Sequence, residues 1–220
     1  TRKRGLSLVP LKFGISFTAT HLNQGGALLV VYMDGSVSCN HGGTEMGQGL
    51  NTKMAQVCAD GLGLSVDHVR ITATDSQKVP NASATSASSG ADINGAAIMN
   101  ATAQMRERLK PVAARMLGCA EGDVTFANNE VHGGGKSVKW ADVTKQAYME
   151  RVGLSVTGFY MTPEIKYDFA TLNGRAFYYY CYGAAVSEVE IDTRTGEWWL
   201  KAVDIVHDVG RSINPALDKG

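Results

Sequence analysis

Apolar and small residues alternate along several stretches of the chain, which is the pattern of β-strands. Residues 5–17 alternate in this way and predict a strand. Two apolar runs, 27–32 and 36–39, flank the dipeptide Asp34-Gly35. Because an Asp-Gly pair between apolar runs is typical of a tight turn, these residues predict a β-hairpin.

Helices are predicted where apolar residues recur at three- and four-residue spacing. The first covers about 51–63, with Asn51 as its cap and glycines at its end. The second covers 91–117, and Pro111 should kink or break it because proline has no N–H to donate. A third, short helix is predicted over 140–151.

The last part of the chain resembles the first part in layout. Strands predicted over 178–191 and 198–206 flank a turn at 192–196, and a glycine-containing loop follows. Asn214-Pro215 would open a matching helix as the chain ends. We therefore predict an α+β fold of hairpin–loop–helix repeats, with helices packed on mainly antiparallel or mixed sheets.

The repeat predicts how the chain is divided. A first unit would cover residues 1–122, and a second unit, residues 123–220, would be incomplete at its C-terminal helix. Both ends of the chain are abrupt, so we expect a truncated piece of a larger domain. Such a piece should expose apolar surface and associate when it is isolated.

Composition and charge exclude several classes of partner. Lys and Arg total 21, and so do Asp and Glu, so a net charge of zero predicts neither nucleic-acid nor membrane binding. No apolar run reaches the roughly 18 residues of a transmembrane helix. The five histidines are scattered, and no metal site is predicted. The four cysteines lack C-x-x-C spacing and predict reduced thiols in a cytoplasmic protein: Cys39, Cys58, Cys119 and Cys181.

A glycine-rich loop, residues 42–49, is the first candidate for a binding site. Its glycines let the backbone approach a ligand, and amides before a helix N-terminus can bind an anion. The amide of Gln48 can donate and accept hydrogen bonds at once. The pattern fits a polar, phosphorylated or heterocyclic ligand, or a tight turn without a ligand. Glu45 is either a catalytic base or a carboxylate that is solvated or bonded to amides.

A serine-rich loop, residues 85–90, is the second candidate. Its small residues and hydroxyls precede the predicted helix 91–117, where backbone and hydroxyl groups together can hold a ligand. The alternative is simple N-capping of that helix by a serine. Two such loops in one chain favour ligand binding.

Several segments of the chain resemble the molybdenum-cofactor-binding region of xanthine dehydrogenases and their aldehyde oxidase relatives. The segment 43–49 is highly specific for that family, and 13–18 favours the xanthine dehydrogenase and animal aldehyde oxidase branch over carbon monoxide dehydrogenases. The matches keep their order along nearly the whole chain. They lie at 12–18, 22–24, 34–37, 42–49, 79–81, 157–160, 187–192 and 208–210.

The resemblance implies roles for residues in both loops and at the end of the first strand. Residues matching positions that hold the pterin are Met46, Gly47 and Gln48. The second cofactor loop is matched by Ser86, Ala87, Ser88, Ser89 and Gly90. Phe17 and Thr18 match the wall of the substrate pocket, where the ring packs edge-on against a flat heterocycle. Ser86 and Gly90 depart from the alanine and serine of the animal enzymes, and Gly90 lacks a hydroxyl to contact the cofactor.

The resemblance also implies an activity, cofactors and partners. The parent enzyme would oxidise xanthine or hypoxanthine to urate in purine catabolism with molybdenum-molybdopterin, and use [2Fe-2S] clusters, FAD and NAD on other domains or subunits. The pterin dithiolene holds the metal, so no protein metal ligand is expected. The base glutamate belongs to a Gly-Glu-Pro-Pro segment expected downstream of Gly220, and further substrate-binding residues are expected before Thr1.

On this interpretation the chain alone carries no catalytic residue and is predicted to be inactive. Its partners would be the purine substrate, the remainder of the large subunit, and the iron–sulfur and flavin domains or subunit. Two alternatives remain: a fragment of an aldehyde oxidase or other aza-heterocycle hydroxylase, and a non-enzymatic ligand-binding module on the same fold.

Overall fold

The computed structural model describes residues 1–79 and 81–219; Pro80, which lies in one of the matched segments, is outside them, as is Gly220. The helices are α1 (Leu50–Leu62), α2 (Gly90–Leu117), α3 (Trp140–Met149) and α4 (Pro215–Lys219). The strands are β1 (Arg2–Ile15), β2 (Gln24–Val31), β3 (Val37–His41), β4 (Val69–Ile71), β5 (Thr125–Ala127), β6 (Glu130–Gly133), β7 (Lys136–Lys139), β8 (Ser155–Met161), β9 (Lys166–Asp168), β10 (Asn173–Arg175), β11 (Tyr179–Asp192) and β12 (Trp198–His207).

A four-stranded mixed sheet has the order β4-β3-β2-β8. The predicted first hairpin is confirmed, since β2 pairs with β3 antiparallel from Ala27↔His41 to Val31↔Val37. Its turn is closed by Asp34, whose Oδ1 accepts a hydrogen bond from the Ser36 N–H at 2.9 Å. β4 joins in parallel and β8 antiparallel. No pattern in the sequence predicted β8 as a strand of this sheet.

Helices α1 and α2 cover this sheet. We call the four strands and these two helices together the helix-covered sheet. The buried face of α2 includes Ile98, Met105 and Leu109. Gly158 of β8 lets α2 pack directly on the strand, because a Cβ there would meet the Ala97 carbonyl oxygen at 2.0 Å. The hydrophobic core therefore lies between α2 and β8 and extends to β2, β3 and α1.

Helix boundaries agree with the predictions in some places and differ in others. The expected break at Pro111 is wrong, because α2 continues through it to Leu117. Buried residues on either side of the proline, Leu109 and Val112, hold the helix on the core despite the missing hydrogen bond. The Asn51 cap is also wrong: Gly49 occupies the N-cap of α1, with a φ of 77°.

A three-stranded antiparallel sheet, β1-β11-β12, contrasts with the helix-covered sheet, and we call it the open sheet. β1 pairs with β11 over 14 residues, from Arg2↔Asp192 to Ile15↔Tyr179. β11 and β12 form the predicted second hairpin. No residue of these three strands belongs to the hydrophobic core cluster. The apolar side chains of the open sheet are therefore largely exposed.

The end of the described chain returns to α1. Asn214 starts the short helix α4 as predicted, with its Oδ1 accepting hydrogen bonds from the N–H groups of Ala216 and Leu217.

Strand pairing also crosses residue 122, since β1 pairs with β11 and β2 with β8. The division into units 1–122 and 123–220 stays a prediction. The mixed and antiparallel sheets with packed helices confirm the α+β class.

Candidate functional site

The glycine-rich loop connects β3 to α1, and Glu45 determines its shape. One carboxylate oxygen of Glu45 accepts hydrogen bonds from the N–H groups of Gly47 and Gly49 at 2.9 and 3.0 Å. The other accepts from the Asn51 N–H at 2.8 Å. The Asn51 N–H, helped by the N–H groups of Gly49 and Gly47, holds the pKa of this carboxyl below its ordinary value. The amide-bonded interpretation of Glu45 is confirmed, and a carboxylate so engaged is a weak base.

Gln48 is folded back onto its own loop. Its Oε1 accepts a hydrogen bond from the Met46 N–H at 2.5 Å, and its Nε2 donates to the Thr44 carbonyl at 2.9 Å. Met46, Gly47 and Gln48 are exposed, and Gly47 has a φ of 96° with no atom within 4 Å of an added Cβ. The loop therefore presents its residues to the surface in one defined conformation.

A buried histidine anchors the start of this loop. His41 Nδ1 accepts a hydrogen bond from the Gly43 N–H at 3.1 Å, so Nε2 carries the proton and donates to Asn51 Oδ1 at 3.1 Å. Burial lowers the pKa of His41, which favours the neutral ring. The histidine thus connects the loop to the first turn of α1 without adding a charge.

The serine-rich loop has a strained backbone. Ala87 and Ser88 are consecutive non-glycine residues with φ of 56°, a conformation that costs about 1–2 kcal/mol per residue. The buried Ser89 hydroxyl donates to the Ser86 carbonyl at 3.2 Å, and Ser89 makes no side-chain cap on α2. Simple helix capping therefore does not explain this loop. Strain held in place by its surroundings is common at binding sites.

The two loops lie side by side. An added Cβ on Gly42 would meet the Ala82 Cβ at 2.5 Å, and one on Gly43 would meet Asn94 Nδ2 at 2.8 Å. Thr85 Oγ1 accepts a hydrogen bond from the Thr44 N–H at 2.8 Å. The missing glycine side chains let the glycine-rich loop approach Ala82 and α2, and this hydrogen bond joins it to the serine-rich loop.

Between the loops lies a cleft of about 250 Å³. Five of the eight residues predicted to hold the cofactor line it: Met46, Gln48, Ser86, Ser88 and Gly90. Gly47, Ala87 and Ser89 do not, although they belong to the same two loops. Lys53 also lines it and pairs with Asp218 at 2.7 Å. Thr85, which belongs to the predicted serine-rich loop, lines the cleft too, whereas the sequence interpretation missed Lys53. The signal that could have identified Lys53 from the sequence was its position four residues after Gly49.

Phe17 and Thr18 follow the end of β1 and are half-buried. They do not line the cleft between the loops. The segment after them is bonded to the approach to the serine-rich loop, because Asn81 Nδ2 donates to Gln24 Oε1 at 2.9 Å. Ser83 Oγ also donates to the Leu22 and Gln24 carbonyls. These hydrogen bonds link the segment after the predicted substrate wall to the residues that precede the predicted second cofactor loop.

The open sheet meets the same neighbourhood at the first turn of α2. The Tyr179 hydroxyl donates a hydrogen bond to the Asp92 carboxylate. Burial, followed by this contact with Asp92, raises the pKa of Tyr179, so the hydroxyl stays protonated. Tyr179 and Ser88 line a second, larger cleft of about 540 Å³ with Phe13 and Cys181. The serine-rich loop therefore contributes to both clefts.

Three further features concern metal ligands, membrane-spanning helices and cysteines. Among residues 1–79 and 81–219, no three His, Cys, Asp or Glu side chains are grouped so that they could hold a metal ion. Within that part of the chain, no helix has the length and apolar character needed to cross a membrane. All four cysteines are free, and Cys39 and Cys58 are buried.

Comparison with known protein families identifies relatives along the whole chain. A family described as the molybdopterin cofactor-binding domain matches residues 1–220. Xanthine dehydrogenase of Oryza sativa subsp. japonica is 46% identical over 219 residues, and xanthine dehydrogenase/oxidase of Mus musculus is 47% identical over 219 residues. Each match covers 100% of this chain and 15% of the relative. The chain therefore spans about 15% of the length of these relatives.

Solved structures share the fold. Quinoline 2-oxidoreductase from Pseudomonas putida 86 superimposes with a TM-score of 0.82 at 25% identity, over 99% of this chain and 28% of that one. A Cu,Mo-CO dehydrogenase superimposes with a TM-score of 0.81 at 22% identity, over the same shares of the two chains. The second similarity supports the fold alone.

Proposed function

Because the chain belongs to the molybdopterin cofactor-binding domain family, we propose that its two loops form part of the cradle for a pterin of the molybdenum cofactor. The observation that carries this proposal is the cleft shared by the glycine-rich and serine-rich loops. Its lining combines the Gln48 amide, the hydroxyls of Ser86 and Ser88, and the Lys53 ammonium. This donor and acceptor set fits a heterocycle that carries a phosphate.

The backbone conformation of the loops also fits such a ligand. At Gly47 the positive φ and the open space around an added Cβ leave room for a ring to approach the main chain. Met46, Gly47 and Gln48 would hold the pterin from one side. The other side would be formed by Ser86, Ala87, Ser88, Ser89 and Gly90, with Ser89 supporting the loop from beneath. When bound, the molybdenum cofactor would supply the two-electron oxidation chemistry.

We further propose that the complete protein oxidises xanthine or hypoxanthine to urate, with Phe17 and Thr18 forming one wall of the substrate pocket. The support is 44–47% identity to xanthine dehydrogenases over nearly the entire chain. The Phe17 ring would pack edge-on against the flat purine, exclude water from it and limit its tilt. A second candidate substrate is another aza-heterocycle, favoured by the similarity to a quinoline 2-oxidoreductase.

The chain would need the rest of its parent to act. It matches 15% of the relatives' length, and its described residues include no free carboxylate in the cleft that could serve as a base. We propose that the base glutamate, the iron–sulfur clusters, FAD and the NAD site belong to other parts of a cytoplasmic enzyme of purine catabolism. The chain by itself would then be inactive.

The cofactor assignment is tested by Gln48→Ala in the complete polypeptide, with the molybdenum content per protein as the measurement. We expect a lower content because the orienting amide is lost. Gln77→Ala is the matched control, since Gln77 is exposed and its side chain makes no hydrogen bond among the described contacts. Equal molybdenum content in the two variants, at equal thermal stability, would contradict the assignment.

The substrate assignment is tested by measuring urate formation from xanthine together with molybdenum content in the complete enzyme. We expect urate from the unaltered protein. Phe17→Ala should raise KM for the purine and leave molybdenum content unchanged. If no urate forms at full molybdenum content, the proposed substrate is instead an aldehyde or another aza-heterocycle.

A further inference from the structure

A buried asparagine holds the main chain of Phe17 from both sides. Asn23 is only 2% exposed. Its Oδ1 accepts a hydrogen bond from the Phe17 N–H at 2.7 Å, and its Nδ2 donates to the Phe17 carbonyl at 2.8 Å. Nδ2 also donates to the Thr20 carbonyl at 3.2 Å. One amide therefore replaces the partner strand that Phe17, just beyond the end of β1, does not have.

The residue before Phe17 shows why this clamp is needed. Ser16 is buried and has a φ of 146°, in a region that is essentially restricted to glycine. A strained residue keeps such a conformation only when its neighbours determine it. The Asn23 clamp fixes the next peptide units and opposes relaxation of Ser16. The direction in which the Phe17 side chain leaves the backbone follows from this geometry.

Asn23 is itself anchored to rigid parts of the molecule. Its carbonyl accepts a hydrogen bond from the Thr162 N–H at 2.9 Å, directly after β8. The carbonyls on either side of it, those of Leu22 and Gln24, accept hydrogen bonds from Ser83. The clamp therefore relates the Phe17 backbone both to the helix-covered sheet and to the approach of the serine-rich loop.

We propose that Asn23 is a positioning residue that sets the orientation of the Phe17 ring toward the substrate. This inference rests on the proposed role of Phe17 in the substrate pocket. The side chain must accept from one backbone group and donate to two others, and at this size only an amide does both. Aspartate has nearly the same shape, but would place an acceptor against the Phe17 and Thr20 carbonyls.

The test is Asn23→Asp in the complete enzyme, measured as KM and kcat for xanthine with molybdenum content. We expect KM to rise about tenfold, because the two hydrogen bonds that Nδ2 donates to the Phe17 and Thr20 carbonyls are replaced by repulsion, with molybdenum content unchanged. Asn100→Asp is the matched control, because it makes the same chemical change at an exposed asparagine. An unchanged KM in Asn23→Asp would overturn the proposal.

A double-mutant cycle separates positioning from general destabilisation. If Asn23 acts through Phe17, then Asn23→Asp in a Phe17→Ala background should change KM by less than about twofold. A full additional tenfold rise would overturn the proposal. If Phe17→Ala alone leaves KM unchanged, both the substrate wall and the positioning role fail. If Phe17→Ala raises KM and Asn23→Asp does not, only the positioning role fails.

A second variant covers the case in which Asn23→Asp does not fold. Ser16→Gly removes the backbone strain that the clamp opposes, so the double variant Ser16→Gly/Asn23→Asp should fold. Its KM should still exceed that of Ser16→Gly, because the Phe17 backbone would have lost its clamp. Equal KM values in these two variants would overturn the proposal.

Discussion

The helix-covered sheet and the open sheet carry similar apolar side chains in very different surroundings. Leu29 and Cys39 of the helix-covered sheet are completely buried beneath α1 and α2. In the open sheet, Ile205 and Val206 are 68% and 76% exposed. An apolar strand pattern therefore shows that a face is suited to burial, but not which element buries it. In the complete polypeptide we expect the open sheet to be covered by parts outside this chain.

The candidate site lies where these two regions meet. The glycine-rich loop and the first turn of α2 belong to the helix-covered sheet, whereas Phe17 and Tyr179 lie at the end of the open sheet. The contact between Tyr179 and Asp92 joins them. The proposed cofactor side of the site is thus supported by a packed core within this chain. The proposed substrate side depends more on a sheet with little packing of its own.

The largest difference is expected between two tryptophans: Trp140 of α3, which belongs to the core cluster of the helix-covered sheet, and Trp198 of the open sheet. Trp140 is 1% exposed and donates to the Gly35 carbonyl at 2.8 Å, whereas Trp198 is 66% exposed. Trp140→Ala should lower the free energy of unfolding by about 3–5 kcal/mol, and Trp198→Ala by less than about 0.5 kcal/mol. Urea unfolding of the chain, followed by circular dichroism, measures both. Similar losses in the two variants would contradict the comparison.

A pair of glycines sharpens the same contrast. Gly158→Ala would drive a Cβ into the Ala97 carbonyl, and should cost about 1–3 kcal/mol or more by forcing α2 away from β8. Gly5 lies in β1, where an added Cβ would make ordinary contact with Val189 at 3.9 Å. Gly5→Ala should be neutral or stabilising by about 0.5 kcal/mol. Thermal unfolding of both variants tests this, and a larger loss at Gly5 would refute it.

Between pH 6.5 and 5, the pH dependence of stability should report on the buried His41 of the helix-covered sheet. Burial lowers the pKa of His41 in the folded chain, so below its ordinary value of 6.5 the unfolded chain takes up the proton more readily. The free energy of unfolding should therefore fall as the pH drops below about 6.5. It should not depend on His41 above that value. His41→Gln should flatten the dependence between pH 6.5 and 5, and an unaltered slope would exclude His41 as its source.

The smallest effect on stability is expected in the open sheet. Leu8→Thr with Val206→Thr should change the free energy of unfolding by less than about 0.5 kcal/mol, because both side chains are exposed and threonine suits a strand. The same pair should reduce self-association of the isolated chain, measured by sedimentation velocity. If association is undiminished, the open sheet is not the surface through which the isolated chain associates.

Some parts of the fold and site were accessible from the sequence because their causes are local. The Asp34-Gly35 turn, the amphipathic spacing of α1 and the turn at 192–196 depend on residues close together in the chain. The glycine-rich loop was recognisable for the same reason. Its main hydrogen bonds, from Glu45 and Gln48, stay within six residues.

Other features depended on contacts between residues far apart in the chain, which no local pattern encodes. β8 pairs with β2, and α2 packs on both strands, whereas β1 pairs with β11 over sequence separations of 164 to 190 residues. Thr85 meets Thr44, Lys53 meets Asp218, and Asn23 turns back to Phe17 only after the chain has folded. Local sequence patterns predict the two long hairpins, the positions of α1 to α3 and the hydrogen-bonding groups of the loops, because these depend on neighbouring residues. Tertiary structure alone decided which loops share a cleft and which apolar faces stay open, because both depend on how distant elements pack.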